Sequence, residues 1–180
     1  MRAALPLALA VALGGLAAAP TPALAAGPAQ AAPKPWALNL RYRHESVDDD
    51  AFARTAEADT LRLRATFNHR FDPHWTAQVE AEGVAELGDR FNSSANGQVQ
   101  YPLVPDARAL ELNQAWLDWS GDKTGVRVGR QMLVLDNARF VGNVAWRQNM
   151  QTFDAAQLRW KPSKAIEVQA LYLDRVHRIN

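Results

Sequence analysis

Three successive stretches of this chain alternate between apolar and strongly polar residues with a period of two, and that pattern decides the class of fold. Trp36, Leu38, Leu40 and Tyr42 fall on one side of an extended chain, and Asn39, Arg41, Arg43 and Glu45 on the other. Leu61, Leu63, Ala65, Phe67 and Phe71 stand against Arg62, Arg64, Thr66, Asn68 and Arg70; Trp75, Ala77, Val79 and Ala81 stand against Thr76, Gln78, Glu80 and Glu82. Strand side chains point to opposite sides in turn, so each segment has one apolar and one charged face. Each runs to roughly the 9–11 residues that a tilted membrane strand needs. Beyond the N-terminal leader no run approaches the ~20 apolar residues of a spanning helix, so a membrane form of this chain must be a closed barrel.

The connections sort by length. Val47 to Ala58 and Leu87 to Asp106 are long, whereas Asp72-Pro73-His74, Ser120 to Thr124 and Lys161 to Lys164 are tight turns. Further strands are predicted from Leu110 to Trp119, Gly125 to Met132, Phe153 to Trp160 and Ala165 to Asp174. Short turns at one end and long loops at the other are the layout of an outer-membrane barrel. Trp36, Tyr42, Phe71, Trp75, Trp119, Trp160 and Tyr172 near strand ends match its aromatic girdles. The fourth strand is ambiguous: Ala115, Leu117 and Trp119 share one register, while Leu110, Leu112 and Trp116 fall on the other. A bulge or side chains tucked inward would reconcile the two.

Met1-Arg2, the apolar run Ala3 to Leu16 and the small-residue stretch ending in Ala23-Leu24-Ala25 have the three-part layout of a secretory signal peptide. The expected organisation is therefore a signal over 1–25, a flexible Ala/Pro leader over 26–35 and the barrel segment over 36–180. The chain has 20 Lys+Arg and 19 Asp+Glu; losing Arg2 with the signal leaves 19 against 19. Such neutrality argues against nucleic acid as a partner. There are no cysteines, which excludes disulfides and thiolate chemistry. His44, His69, His74 and His177 lack metal-ligand spacing, so neither metal nor cofactor is expected. Ser46, His44 and Asp48 could be assembled into a hydrolase triad, but no G-x-S-x-G motif accompanies them.

The stretch from Gly129 to Ala155 stops behaving as a strand and packs Arg130, Arg139 and Arg147, Asp136 and Asp154 among Phe140, Val141, Trp146 and Phe153. A long segment this rich in aromatic anchors is functional rather than disordered. We expect it to fold into the barrel and line its narrowest part. Gly129-Arg130-Gln131, Asp136, Arg139-Phe140-Val141-Gly142, Trp146-Arg147-Gln148-Asn149 and Gln151-Thr152-Phe153-Asp154-Ala155 together resemble the alginate-export family of outer-membrane porins. The likeness extends more weakly over Trp36 to Asn180, through Leu61-Arg62-Leu63-Arg64 and Leu112-Asn113-Gln114-Ala115-Trp116. It implies a large antiparallel barrel that passes anionic polysaccharide or small solutes across the outer membrane. About seven strands is fewer than the eight of the smallest bacterial barrels, so the expectation is the N-terminal part of a longer barrel, with closure by oligomerisation as the alternative.

The residues expected to line the pore and bind anions are Arg41, Arg43, Arg62, Arg64, Glu80, Glu82, Arg127, Arg130, Asp136, Arg139, Arg147 and Asp154. Guanidinium binds carboxylates bidentately and stays charged, and rings of arginine favour anions in pores. A structural reading stands beside this one: Arg62 and Arg64 pair with Glu80 and Glu82 across strands and fill the interior. On the functional reading the partners are outer-membrane lipid and an anionic solute or polysaccharide. The rival function is a soluble periplasmic β-sandwich that binds sugars through Trp116, Trp119 and Trp146.

Overall fold

The structure is a computed structural model that describes residues 35–135, 137–139 and 141–179; the expected signal peptide (1–25) and the leader up to residue 34 lie outside the described residues. Seven strands follow one another: β1 (Trp36–Val47), β2 (Ala56–Arg70), β3 (Trp75–Glu86), β4 (Ala109–Ser120), β5 (Thr124–Gln131), β6 (Thr152–Ser163) and β7 (Ile166–His177). Each pairs with the next in sequence, so the sheet is an antiparallel meander in the order β1-β2-β3-β4-β5-β6-β7, and it is not closed. No second sheet packs against it among the described residues.

Register makes the two faces coherent, because residues paired across strands share a face. Trp36, Phe67, Val79 and Ala115 form one such row, and Asn39, Arg64, Glu82 and Glu111 another. The first row belongs to an outer face that is largely bare: Leu38 is 74% exposed, Leu40 67% and Leu110 89%. The second belongs to an inner face that is covered toward the long-loop end, with Glu82 at 0% and Arg62 at 6% exposure, and open toward the tight turns, at Asn39 and Arg70. This reverses the arrangement of a water-soluble protein, which covers its apolar face and leaves charge in solvent.

A bulge resolves the ambiguity of β4. The register with β3 shifts between Glu80 and Ala81, so Leu112 faces Ala81 while Gln114 faces Glu80, leaving Asn113 as the extra residue. Leu110 and Leu112 thereby join Ala115, Leu117 and Trp119 on the outer face. Asn113 and Gln114 both turn inward, and their amides donate to Glu80 Oε1 at 2.6 and 3.2 Å. Trp116 also lies on the inner face, opposite Gln78.

The tight turns gather at one end of the sheet and are tied to one another. Asp72 Oδ1 accepts from the backbone N–H groups of His74 and Trp75, which hold its carboxyl below the usual range. Ser120 N–H donates to the His74 carbonyl and Lys161 N–H to that of Lys123. At the opposite end the long connections fold over the inner face. Residues 87–108 bring Phe91 and Val104 onto Ala56 and Ala58, while residues 132–151 bring Leu133 and Val141 onto Phe153 and Ala155. Among the described residues, clustered apolar packing on the inner face forms two small groups at the long-loop end.

Gly129, which opens the G-R-Q segment, has φ of +122°, and a Cβ there would collide with the Ala115 carbonyl oxygen on β4. The prediction is that Gly129→Ala lowers the urea midpoint of the refolded protein by the equivalent of about 1–3 kcal/mol. A change within about 0.5 kcal/mol, the scale of a neutral surface substitution, would show that β5 does not need this approach.

Candidate functional site on the inner face

The inner wall of β1 and β2 presents Arg41, Arg43, Glu45, Thr60, Arg62 and Arg64 in register, with Arg41 opposite Arg62. Guanidinium groups withdrawn from water need acceptors, and the segment 132–151 supplies them by crossing the inner face from β5 to β1. A turn closed by Arg147 N–H on the Val144 carbonyl aims three consecutive carbonyls at one guanidinium. Arg41 donates to Trp146 O at 2.6 Å, Arg147 O at 3.1 Å and Ala145 O at 3.2 Å. Net of the hydrogen bonds to water that they replace, hydrogen bonds to a charged donor contribute about 1.5–3 kcal/mol each, so three of them help to hold an irregular segment.

Arg147 then inserts between two carboxylates. Its Nη1 lies 3.2 Å from Glu45 Oε2 and 3.8 Å from Asp106 Oδ2, and Arg43 bridges the same two groups, 2.6 Å from Asp106. Trp146 is the platform for both guanidiniums, with Arg147 Cζ 3.7 Å and Arg43 Cζ 4.9 Å from the ring centroid. Burial lowers the pKa of Arg147, and Glu45 and Asp106 oppose that shift. Gln148 completes the seal. Its N–H donates to Asp106 Oδ1 at 2.9 Å and its side chain to Thr60 Oγ1 at 2.9 Å, while its carbonyl accepts from Arg62 at 3.3 Å.

Lower on the wall, Glu82 accepts from Arg64 and lies 3.9 Å from Arg62. Cross-strand neutralisation is thus present for these three residues. Glu80 instead takes Thr66, Asn113 and Gln114. Between wall and crossing segment lies a cavity of about 290 Å3 whose charged lining is Arg41, Arg62, Arg64, Arg147 and Glu80. Arg127 is also on the inner face, nearer the tight turns, 2.8 Å from Asp118.

Two expected residues are elsewhere. Arg130 pairs in register with Ala115 and Asp154, so it shares the outer face with Val79 and Val128. Its guanidinium meets the Asp154 carboxylate at 2.9 Å and the Leu112 carbonyl at 3.0 Å, and Asp154 also holds His177 at 2.8 Å. The expectation that Arg130 and Asp154 line the same space as Arg62 is therefore corrected: β5 and β6 are still regular strands here, and alternation sends both side chains outward. Arg139 is exposed near the middle of the crossing segment, its N–H on Asn137 Oδ1, and Asp136 lies outside the described residues. Trp116, Trp119 and Trp146 do not form one sugar platform, since Trp119 stands on the outer face with Trp75 and Val126.

Several participants were missing from the sequence expectation. Glu45 was visible as the next inward position after Arg41 and Arg43. Asp106 carried no local signal, because it reaches Arg43 and Gln148 only through the fold of residues 87–108.

The alginate export family model matches residues 33–174. The chain belongs to the alginate export family. No curated protein and no solved structure matches it. The family is one of outer-membrane transport proteins, and the W-R-Q-N segment of this member is the part that binds the inner wall of β1 and β2.

Asp106→Ala should leave Arg43 and Arg147 with Glu45 alone and strip Gln148 N–H of its acceptor. Breaking a buried ion pair costs about 3–5 kcal/mol, so the crossing segment should loosen. Trypsin cleavage after Arg139 and Arg147 is expected to accelerate at least tenfold in folded protein; an unchanged rate would mean that the cluster does not hold the segment.

Proposed function

We propose that this chain forms channel wall in the outer membrane, its outer face against lipid and its inner face lining an aqueous passage for anionic polysaccharide or small anionic solutes. The observation that carries this reading is the inversion of the sheet: the apolar side chains are bare and the charged ones covered. A continuous apolar surface of this kind, bounded by Trp and Phe at the tight-turn end and by Tyr42 and Tyr172 further up, fits hydrocarbon flanked by two interfaces. On β1 and β2 the outer face turns polar just beyond Tyr42, where His44 and Ser46 meet Asp59 and Glu57. Arg130, Asp154 and His177 mark the same limit on β5, β6 and β7.

Around the crossing segment Arg41, Arg43, Arg62, Arg64 and Arg147 stand with Glu45, Asp106, Glu80, Glu82 and Glu111, so the charges balance and the preference for an anion rests on how one arginine is held. Arg41 is held by carbonyl dipoles rather than a carboxylate, so it attracts an anion without an internal competitor. A permeant carboxylate trades water for guanidinium donors there and leaves by exchanging with the next arginine; weak, multiple contacts of this kind allow passage. Family membership supports an export channel, and among the described residues no second layer packs on the sheet to build the rival β-sandwich.

Two measurements test this reading. The natural chain lacks cysteine, so Leu40→Cys and Val79→Cys should react with lipid-soluble but not water-soluble maleimide in proteoliposomes, and Asn39→Cys with the water-soluble reagent. The opposite pattern would place the outer face in water. In planar bilayers the protein should prefer chloride over potassium, and Arg41→Gln should shift the reversal potential toward potassium; cation preference unchanged by that substitution would end the anion reading.

A further inference from the structure

On β5, β6 and β7 the upper limit of the outer face is drawn by charged groups that take no part in the inner wall. Arg130, Asp154 and Arg175 stand on one rung, opposite one another in register. Asp154 Oδ1 accepts from Arg130 Nε at 2.9 Å, and its Oδ2 lies 3.4 Å from Arg130 Nη2 and 2.8 Å from His177 Nε2. Both oxygens are thus occupied, which leaves Arg175 over. The Arg175 side chain is exposed and makes no hydrogen bond or ion pair among the described residues. The neighbouring carboxylate, Asp174, is the extra residue of the β6–β7 bulge and is exposed as well.

Arg130 is set in place by its neighbours. β4 extends past Ala115–Arg130, the last rung it shares with β5, and there the Leu112 carbonyl accepts Arg130 Nη1 at 3.0 Å. Held by the carboxylate and this carbonyl, the guanidinium keeps two of its five N–H donors for another acceptor. Directly beneath lies an uncharged rung of Leu117, Val128, Ala156 and Tyr172, and beneath that another of Trp119, Val126, Leu158 and Ala170. Cationic donors therefore sit immediately above an apolar strip. The corresponding limit on β1 and β2 has the opposite character, with Glu57 and Asp59 flanking His44, so an anion at this height is directed to the β5–β7 side.

We infer that Arg130 and Arg175 bind the headgroup phosphate of an outer-leaflet lipid whose acyl chains lie on the apolar rungs below, with Asp154 as the positioning residue for Arg130. The inference rests on the outer face meeting lipid and adds to it one lipid chemistry at one place. Long loops mark the extracellular side of outer-membrane barrels, which makes this the outer leaflet. Guanidinium matches phosphate oxygens bidentately and stays charged. Basic residues at a membrane surface draw anionic headgroups, and here the hydrophobic contact of the acyl chains adds to that attraction.

The test uses the full chain in phosphatidylcholine vesicles doped with lipid A, a diphosphorylated glucosamine lipid, or with its dephosphorylated form. After mild detergent extraction, native mass spectrometry counts the lipid retained. Lipid A should co-purify and the dephosphorylated form should not. Arg175→Gln, which removes a side chain without a protein partner, should lower retention about tenfold, the scale of one hydrogen bond to a charged group. Arg130→Gln should act alike, and Lys164→Gln, an equal charge change at the tight-turn end, should have no effect. Heat-modifiable gel mobility verifies assembly; if Arg130→Gln fails to assemble, Arg175→Gln decides. Excess inorganic phosphate should displace little lipid A, and complete displacement would make this a site for free phosphate and overturn the lipid assignment. Equal retention of both lipids, retention unchanged by Arg175→Gln, or an equal loss with Lys164→Gln would overturn the site. With Leu40→Cys and Val79→Cys labelled as lipid-facing, such a failure leaves the channel wall standing; water-facing labels would remove both.

Discussion

A guanidinium withdrawn from water must find acceptors, and this need organises the inner side of the sheet. β1 and β2 place Arg41, Arg43 and Arg62 on one wall, where Arg41 sits opposite Arg62 and neither Thr60, opposite Arg43, nor Val84, opposite Arg62, offers a carboxylate. Strand pairing alone would leave like charges facing each other. The crossing segment removes the conflict by lending carbonyls from Ala145, Trp146 and Arg147 to Arg41, and its own Arg147 to Glu45 and Asp106. A loop is well suited to that role, because irregular backbone leaves carbonyls uncommitted that a strand would spend on its ladder.

The same need links the two long connections. Asp106, delivered by residues 87–108, accepts from Arg43 and from the Gln148 backbone, so each loop stabilises the other's position over β1. The apolar clusters around Phe91 and around Phe153 are too small to hold these loops alone; polar networks between the loops and the wall carry the remainder. The buried acceptors on Glu82, Asn113, Gln131, Gln148 and Asn149 that meet no protein donor among the described residues fit a space that water or a polar solute shares.

The strands were legible because one face of the sheet is apolar and the other strongly polar with few interruptions, so the period of two stands out in the residue order. That contrast located β1, β2 and β3 and assigned Arg41, Arg43, Arg62, Arg64, Glu80 and Glu82 to one face. Strand ends were less visible. The acidic stretch after Val47 concealed the upper rungs of the β1–β2 ladder, where Ser46 and Glu57 pair on the outer face. The bulge at Asn113 had only an indirect trace in the clash between Leu112 and Ala115. Arg130 and Asp154 misled because they belong to a segment whose middle does fold inward, while they stand on the last regular rungs before it.

Residue order alone therefore determined the period of the strands, the sorting of short turns from long loops, the near-neutral charge balance and the family signature, since each is written in neighbouring residues or in simple counts. Tertiary structure decided which carboxylate meets which arginine, that residues 132–151 cross to β1 rather than cover their own strands, and that Asn113 and Gln114 both turn inward at the bulge. These depend on contacts across dozens of positions, as between Arg41 and Trp146 or Gln148 and Thr60. Local propensity holds no record of such partners; only the requirement that buried charge be satisfied in three dimensions selects them.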